Sequence, residues 1–231
     1  MSLADDLRKE VRDIFQARWY EREGRDVPDT ENITLSNEAV TLDGTVLYAD
    51  LVASTTLVNS RSSKFAAEIY KAFLYCAAKV IRESDGEITA YDGDRIMAVF
   101  MGGYKNTNAA KAALRINWCM DELVNPLMRD QYPDKATDSY RAVVGIDTGK
   151  LFVAKTGIRG SNDLVWVGRA ANYAAKLCDR RLANYNTWIT ADVYNKLDGV
   201  AKMTSGEHMW HTATWEVSGQ TIYGSTWRWA A

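Results

Sequence analysis

Two aspartates stand where a carboxylate has chemical consequences. Asp50 closes the apolar run 45–49 and is followed by Leu51, Val52, Ala53, Ser54, Thr55 and Thr56. Asp94 lies 44 residues later (94 − 50 = 44), in an Asp-Gly-Asp turn. Carboxylates on rigid strand ends, with coordination positions left open, suit Mg2+ or Mn2+ held jointly with substrate phosphates. Two such ions roughly 3.5–4 Å apart stabilise an attacking oxygen and a leaving pyrophosphate together. The small residues 53–56 lead into a helix whose first amides would meet phosphate oxygens. On spacing alone, the two aspartates also read as a helix cap and a hairpin residue.

Positioning the pair is the task of the surrounding elements. Residues 45–49 form the first strong strand, and 64–83 places Phe65, Ile69, Phe73, Cys76 and Val80 on one helical stripe. The Asp-Gly within "EITAYDGDRIMAVF" predicts a hairpin. A helix over 108–128 follows, then strands in "YRAVVGID", "LFVAK" and "NDLVWVG", with a Thr-Gly kink between the first two. "RAANYAAKLCDRRL" (169–182) reads as an alanine-rich helix, "TWIT" as a strand, and Thr190 as the cap of a short helix; "WEVSGQTIYGSTWRW" reads as a closing hairpin. The order βαββαβ, with additions, predicts an α+β ferredoxin-like sheet with its helices on one face. Its first strand lies centrally, beside the hairpin, which brings Asp50 and Asp94 to one sheet edge. Ahead of it, 3–19 carries Leu3, Leu7, Val11, Ile14 and Phe15 at helical spacing behind Ser2, and "EREGRDVPDTEN" reads as a polar linker. The expected organisation is an N-terminal helix and linker over 1–40 and a catalytic domain over 41–231.

Composition narrows the partners. With 47% hydrophobic residues in 231 and a formal net charge of −2, the chain has material for a core and no charge for wrapping nucleic acid or an anionic membrane. No apolar run reaches the roughly 18–20 residues of a membrane span, and the N-terminus is too charged for a signal peptide. Cys76, Cys119 and Cys178 lack C-x-x-C spacing and each falls in a helical pattern, as reduced thiols of a cytoplasmic protein do. Five of the eight tryptophans follow residue 187, which predicts aromatic packing in a strand-rich C-terminal part.

Four segments in order resemble the class III nucleotidyl cyclases. "VLYADLVASTTL" is similar to their first metal motif, F-x-D-I-x-G-F-T, and "YDGDRIMAVF" to their second, G-D-x-x-M-A-x-F. "RAVVGIDTGKLFVAKTG" resembles their glycine-patterned third motif and "VGRAANYAAKL" their last, G-x-x-V-N-x-A-A-R-L. The resemblance spans about 45–182. It implies Asp50, the Leu51 backbone and Asp94 as ligands of two Mn2+ or Mg2+ ions, with Ser54, Thr55 and Thr56 on the phosphates. Asn172 would orient the ribose and Lys176, one helical turn on, would meet transition-state charge. Lys150 matches a basic phosphate-binding position. The metal aspartates of one subunit would meet Asn172 and Lys176 of another, in a homodimer with shared sites.

The departures are informative. Lys176 stands where the family has arginine, so the charge is kept and the planar fork is not, which leaves room for Arg169 or Arg141 to contribute. The two base-reading positions of purine cyclases are Ala90, followed by Tyr91, and Val165, followed by Trp166. Neither alanine nor valine can pair with a base edge, and leaving a polar edge unpaired on burial costs about 1–3 kcal/mol. Such a pocket resembles that of the pyrimidine cyclases of bacterial Pycsar anti-phage systems. The resemblance implies UTP as substrate and cyclic UMP and pyrophosphate as products, with a separate cyclic-nucleotide effector protein downstream. A cytidylate cyclase, an adenylate or guanylate cyclase with unusual base readers, and a silent nucleotide-binding homologue are the competing readings.

Overall fold

The computed structural model of the chain describes residues 2–182 and 184–231. They fall into two compact units, one formed by Met1–Asp43 with Lys150–Gly168 and the other by Gly44–Gly149 with Arg169–Ala231.

The first unit opens with α1 (Leu3–Gln16), whose capping box joins Ser2 to Asp5 as the sequence predicts. Its apolar stripe, Leu3, Leu7, Val11, Ile14 and Phe15, is exposed along its whole length. The helix stops at Gln16 rather than 19, and the first residues of the expected linker form β1 (Tyr20–Glu23). β1 runs parallel to the start of β2 (Glu38–Leu51), with Tyr20 opposite Glu38. A neighbouring backbone ladder supplies partners whatever the side chains, so polar "YERE" becomes a strand. Further along the chain, β5 (Ala142–Ile158) turns at 159–160 into β6 (Ser161–Val167). The two expected strands "YRAVVGID" and "LFVAK" are thus one continuous strand. β2 and β5 each supply residues to both units.

The second unit holds the site. After β2 come α2 (Ser54–Ser60), α3 (Ser63–Glu83), β3 (Gly86–Asp92), β4 (Arg95–Phe100) and α4 (Lys105–Cys119). A π-helical turn, Met120–Val124, joins α4 to α5 (Asn125–Gln131), so the expected helix over 108–128 forms as one continuous run with a π-turn inside it. Pro126 has no amide for the ladder, and the Met120 carbonyl accepts both the backbone amide of Asn125 and its side-chain Nδ2, the latter at 2.8 Å. Beyond β6 lie α6 (Arg169–Cys178), β7 (Thr187–Thr190), α7 (Ala191–Asn195), α8 (Gly199–Lys202), the short pair β8 (Met203–Thr204) and β9 (Glu207–His208), then β10 (His211–Thr214) and β11 (Thr221–Ser225). Thr190 caps α7 as expected. The closing hairpin starts earlier than its sequence pattern suggests, because Trp215 is buried at the turn and cannot extend a solvent-facing strand.

The strand order is β10-β11-β7-β5-β2-β4-β3. Counting β2, β3, β4 and β5 as strands one to four of βαββαβ, the order is 4-1-3-2, the ferredoxin-like arrangement. Alternation along each strand separates two cores. Leu47, Ala49, Ile96, Ala98, Val144, Ile146 and Ile189 meet Phe65, Ile69 and Phe73 of α3 and Ala110, Ala113 and Leu114 of α4. Val143, Trp188 and Ile222 belong to a second cluster with Leu177 of α6. The helices therefore do not share one face: α6 covers the side opposite α3 and α4. Gly145 makes this possible, since a Cβ there would lie 2.2 Å from the Ala174 carbonyl oxygen and 2.3 Å from the Cys178 amide nitrogen.

Candidate active site

Asp50 and Asp94 meet where β2 and β4 pair. Arg95, the residue after Asp94, is the direct cross-strand partner of Asp50. Gly93, at φ +60°, makes the turn that presents Asp94. Tyr70 on α3 reports the convergence. Burial pushes its phenol pKa up, the charges of Asp94 and Asp50 push the same way, and a hydrogen bond with Ser54 opposes them. One phenol thus senses both carboxylates and the first residue of α2.

The two carboxylates are differently furnished. Asp50 is 7% exposed. Its Oδ2 accepts from Arg95 Nη2 at 3.2 Å and from Arg181 Nη2 at 2.6 Å. Arg95 also donates to Asp179 at 2.7 Å and lies over the Tyr48 ring, 6.0 Å from its centroid. Asp94 Oδ2 is buried with no hydrogen-bond partner. A buried carboxylate oxygen without a donor is costly unless a cation or proton completes it. This orphaned oxygen and the hard donor set fit a divalent ion. Among the described residues no three His, Cys, Asp or Glu side chains form a metal cage, and a Mg2+-type site needs only one or two carboxylates with substrate phosphates. Leu51 buries its side chain in the core, so only its backbone is placed to ligate.

The loop after Asp50 is strained. Ala53 stands at φ 60°, ψ 32°, a left-handed conformation that favours glycine, directly before α2. Thr55 and Thr56 are exposed and Ser54 is half-buried. On α6, Asn172 and Lys176 are both exposed, and among the described residues neither side chain has a partner.

Other expected residues are placed differently. Arg169 is held by carboxylates: its Nε lies 3.4 Å from Asp147, and it pairs closely with Asp192. Arg141 donates to Asn186 at 3.4 Å. Ala90 and Tyr91 are neighbours on β3, and Val165 and Trp166 are neighbours on β6, so each pair points to opposite faces of its strand. Only one member of each pair can face a given base. Ala90 is half-buried and Tyr91 exposed, whereas Val165 is exposed and Trp166 half-buried. Lys150, Val165 and Trp166 belong to the first unit, and the aspartates, Asn172 and Lys176 to the second. Lys150 lines a groove of about 570 Å3 with Glu21, Glu23 and Asp43.

Arg95, Arg181, Asp179 and Tyr70 escape the sequence reading. Arg95 had a signal, since it lies inside the second motif and an antiparallel hairpin sets it beside the Asp50 strand. Arg181 had none, being 131 residues from Asp50.

The chain is 51% identical over 231 residues to a uridylate cyclase of Xanthomonas perforans, covering 99% of each chain. It is also 51% identical over 232 residues to a uridylate cyclase of Burkholderia cepacia, again covering 99% of each. The chain belongs to the uridylate cyclase family. No family model matches it. Its fold is that of the class III cyclases: a bacterial light-regulated adenylyl cyclase superposes with a TM-score of 0.71 at 18% identity, over 86% of this chain and 56% of that one. In this family member no helix among the described residues is long and apolar enough to cross a membrane.

Proposed function

We propose that the protein is a uridylate cyclase: the ribose 3′-hydroxyl of UTP attacks the α-phosphorus, the bond to pyrophosphate breaks, and cyclic UMP is released. The observation that carries the reading is the carboxylate pair, Asp50 charge-saturated and Asp94 with a buried, partnerless oxygen. Family membership supports the choice of base, as do Ala90 and Val165, which offer no hydrogen-bonding side chain to a purine. Asp50, the Leu51 carbonyl and Asp94 would hold two Mn2+ or Mg2+ ions. Bound there, such ions neutralise the triphosphate and favour ionisation of the 3′-hydroxyl.

The chain's own residues do the rest. Ser54, Thr55 and Thr56 line the phosphate side, at the start of α2. Asn172 holds the ribose, and Lys176 supplies a cation to the charge that develops on the phosphoryl oxygens. Both project from the outer face of α6, exposed and, among the described residues, without a side-chain partner, which suits service to the site of a second subunit in a two-fold homodimer. Lys150 remains a candidate for the triphosphate. The product would signal to a separate cyclic-nucleotide effector in anti-phage defence within the cytoplasm.

Incubation with each of the four nucleoside triphosphates and Mn2+, with products separated by chromatography, tests the reading. Cyclic UMP as the main product is expected. Cyclic CMP would correct the base within the pyrimidines, cyclic AMP or cyclic GMP would overturn the base assignment, and no product from any nucleotide would overturn the enzyme.

A further inference from the structure

Arg181 and Arg95 reach the same carboxylate oxygen by different routes. Arg95 is fixed: its backbone sits in the β2–β4 ladder opposite Asp50, its head lies over Tyr48, and Asp179 retains it at 2.7 Å. Arg181 lies beyond the end of α6, outside any helix or strand. It is held by Asp50 at 2.6 Å and by the Cys178 carbonyl at 2.7 Å. It can withdraw without breaking a ladder bond. Asp94 Oδ2, in contrast, is buried and already vacant of donors. A divalent ion arriving at the pair finds one oxygen ready and the other occupied by a guanidinium. That oxygen already holds Arg95 at 3.2 Å and Arg181 at 2.6 Å, and a divalent ion added at contact distance to both is strongly repelled in a partly buried setting.

We propose that Arg181 is a positioning residue of this site that holds Asp50 in the unloaded chain and leaves when a divalent cation binds, guanidinium and cation competing for Asp50 Oδ2. Arg95 stays, anchored by Asp179. The stretch 181–182, just beyond the α6 helix that bears Asn172 and Lys176, is then tied down without the cation and released with it, while Asp179 stays with Arg95. The inference rests on Asp50 and Asp94 being metal ligands.

Mn2+ binding, followed by loss of the free-ion electron paramagnetic resonance signal, tests the proposal without any turnover. Arg181→Gln should tighten Mn2+ binding roughly tenfold, the scale of one charge-assisted hydrogen bond. Arg180→Gln removes the same charge one residue away, from a side chain that pairs with Glu216 instead, and should change affinity by less than about twofold. Arg181→Lys, which keeps the charge but loses the fork, should fall between wild type and Arg181→Gln. In the wild type, Mn2+ should also speed hydrogen exchange of the 181–182 amides. Equal tightening by Arg180→Gln and Arg181→Gln, or none by the latter, overturns the competition while Asp50-dependent binding still upholds the metal ligands. Mn2+ binding unchanged by Asp50→Asn overturns the metal reading, and the competition with it.

Discussion

Asp50, at the end of β2, and the outer face of α6 are both polar, yet one is saturated with partners and the other is bare. Asp50 is buried under Arg95 and Arg181, and Arg95 is shared with Asp179. Asn172 and Lys176, four residues apart on α6, stand exposed without a partner among the described residues. Burial explains the contrast. A charge removed from water must be paired or it unfolds its surroundings, whereas an exposed amide or ammonium is satisfied by solvent. Asp50 is therefore satisfied within one chain, whereas Asn172 and Lys176 are chemically available to whatever approaches them.

The largest test separates the two regions by complementation. Asp50→Asn or Asp94→Asn should lower turnover by roughly 10³ or more, and Asn172→Ala or Lys176→Ala by roughly 10²–10³, with melting profiles close to wild type. Mixing inactive Asp50→Asn with inactive Asn172→Ala protein should restore about a quarter of wild-type activity, one intact site in half of the dimers. If subunit exchange is shown by mass and no activity returns, the two regions serve one chain.

Gly145→Ala should uncouple the regions physically. The new methyl would overlap backbone atoms of α6 at 2.2 and 2.3 Å, so the helix must shift. A loss of roughly 3 kcal/mol and a melting point lower by roughly 6–12 °C are expected. Turnover should fall while Mn2+ binding to the carboxylates persists, because the nearest neighbours of the new methyl are backbone atoms of α6 and not of β2 or β4. Lost Mn2+ binding in a folded variant would show that α6 also sets the carboxylates.

Tyr70→Phe probes the join between carboxylates and α2, and its effect is read in the pH dependence of stability. The pH dependence has a definite sign. A phenol whose pKa is raised by folding contributes stability that is present below its unfolded value near 10 and is lost as pH rises through the folded value. Urea midpoints of wild type should therefore decline above about pH 10 more steeply than those of Tyr70→Phe. Parallel declines would remove Tyr70 from the carboxylate neighbourhood.

The smallest effect is a gain. Ala53→Gly relieves a left-handed alanine at the entrance to α2 and should stabilise by about 0.5–1 kcal/mol, read as a higher urea midpoint. A lower midpoint would mean that the methyl is packed rather than strained.

Much of this molecule is written locally. The stripe of α3, the Ser2 and Thr190 caps, the Asp-Gly hairpin and the alternation of β4 each lie within a short window, where backbone sterics and side-chain periodicity decide the outcome. The same windows carry the motifs that single out Asp50, Asp94, Asn172 and Lys176, and the βαββαβ order that brings the aspartates to paired strands. Tertiary structure alone decided that polar "YERE" pairs as β1, that α6 packs opposite α3 and α4, that Arg169 is absorbed by Asp147 and Asp192, and that Arg181 crosses 131 residues of sequence to rest on Asp50. A local pattern records what a segment prefers. Which buried charge finds which partner depends on where the packed sheet and helices leave a carboxylate short of water, and that is settled only when the core closes.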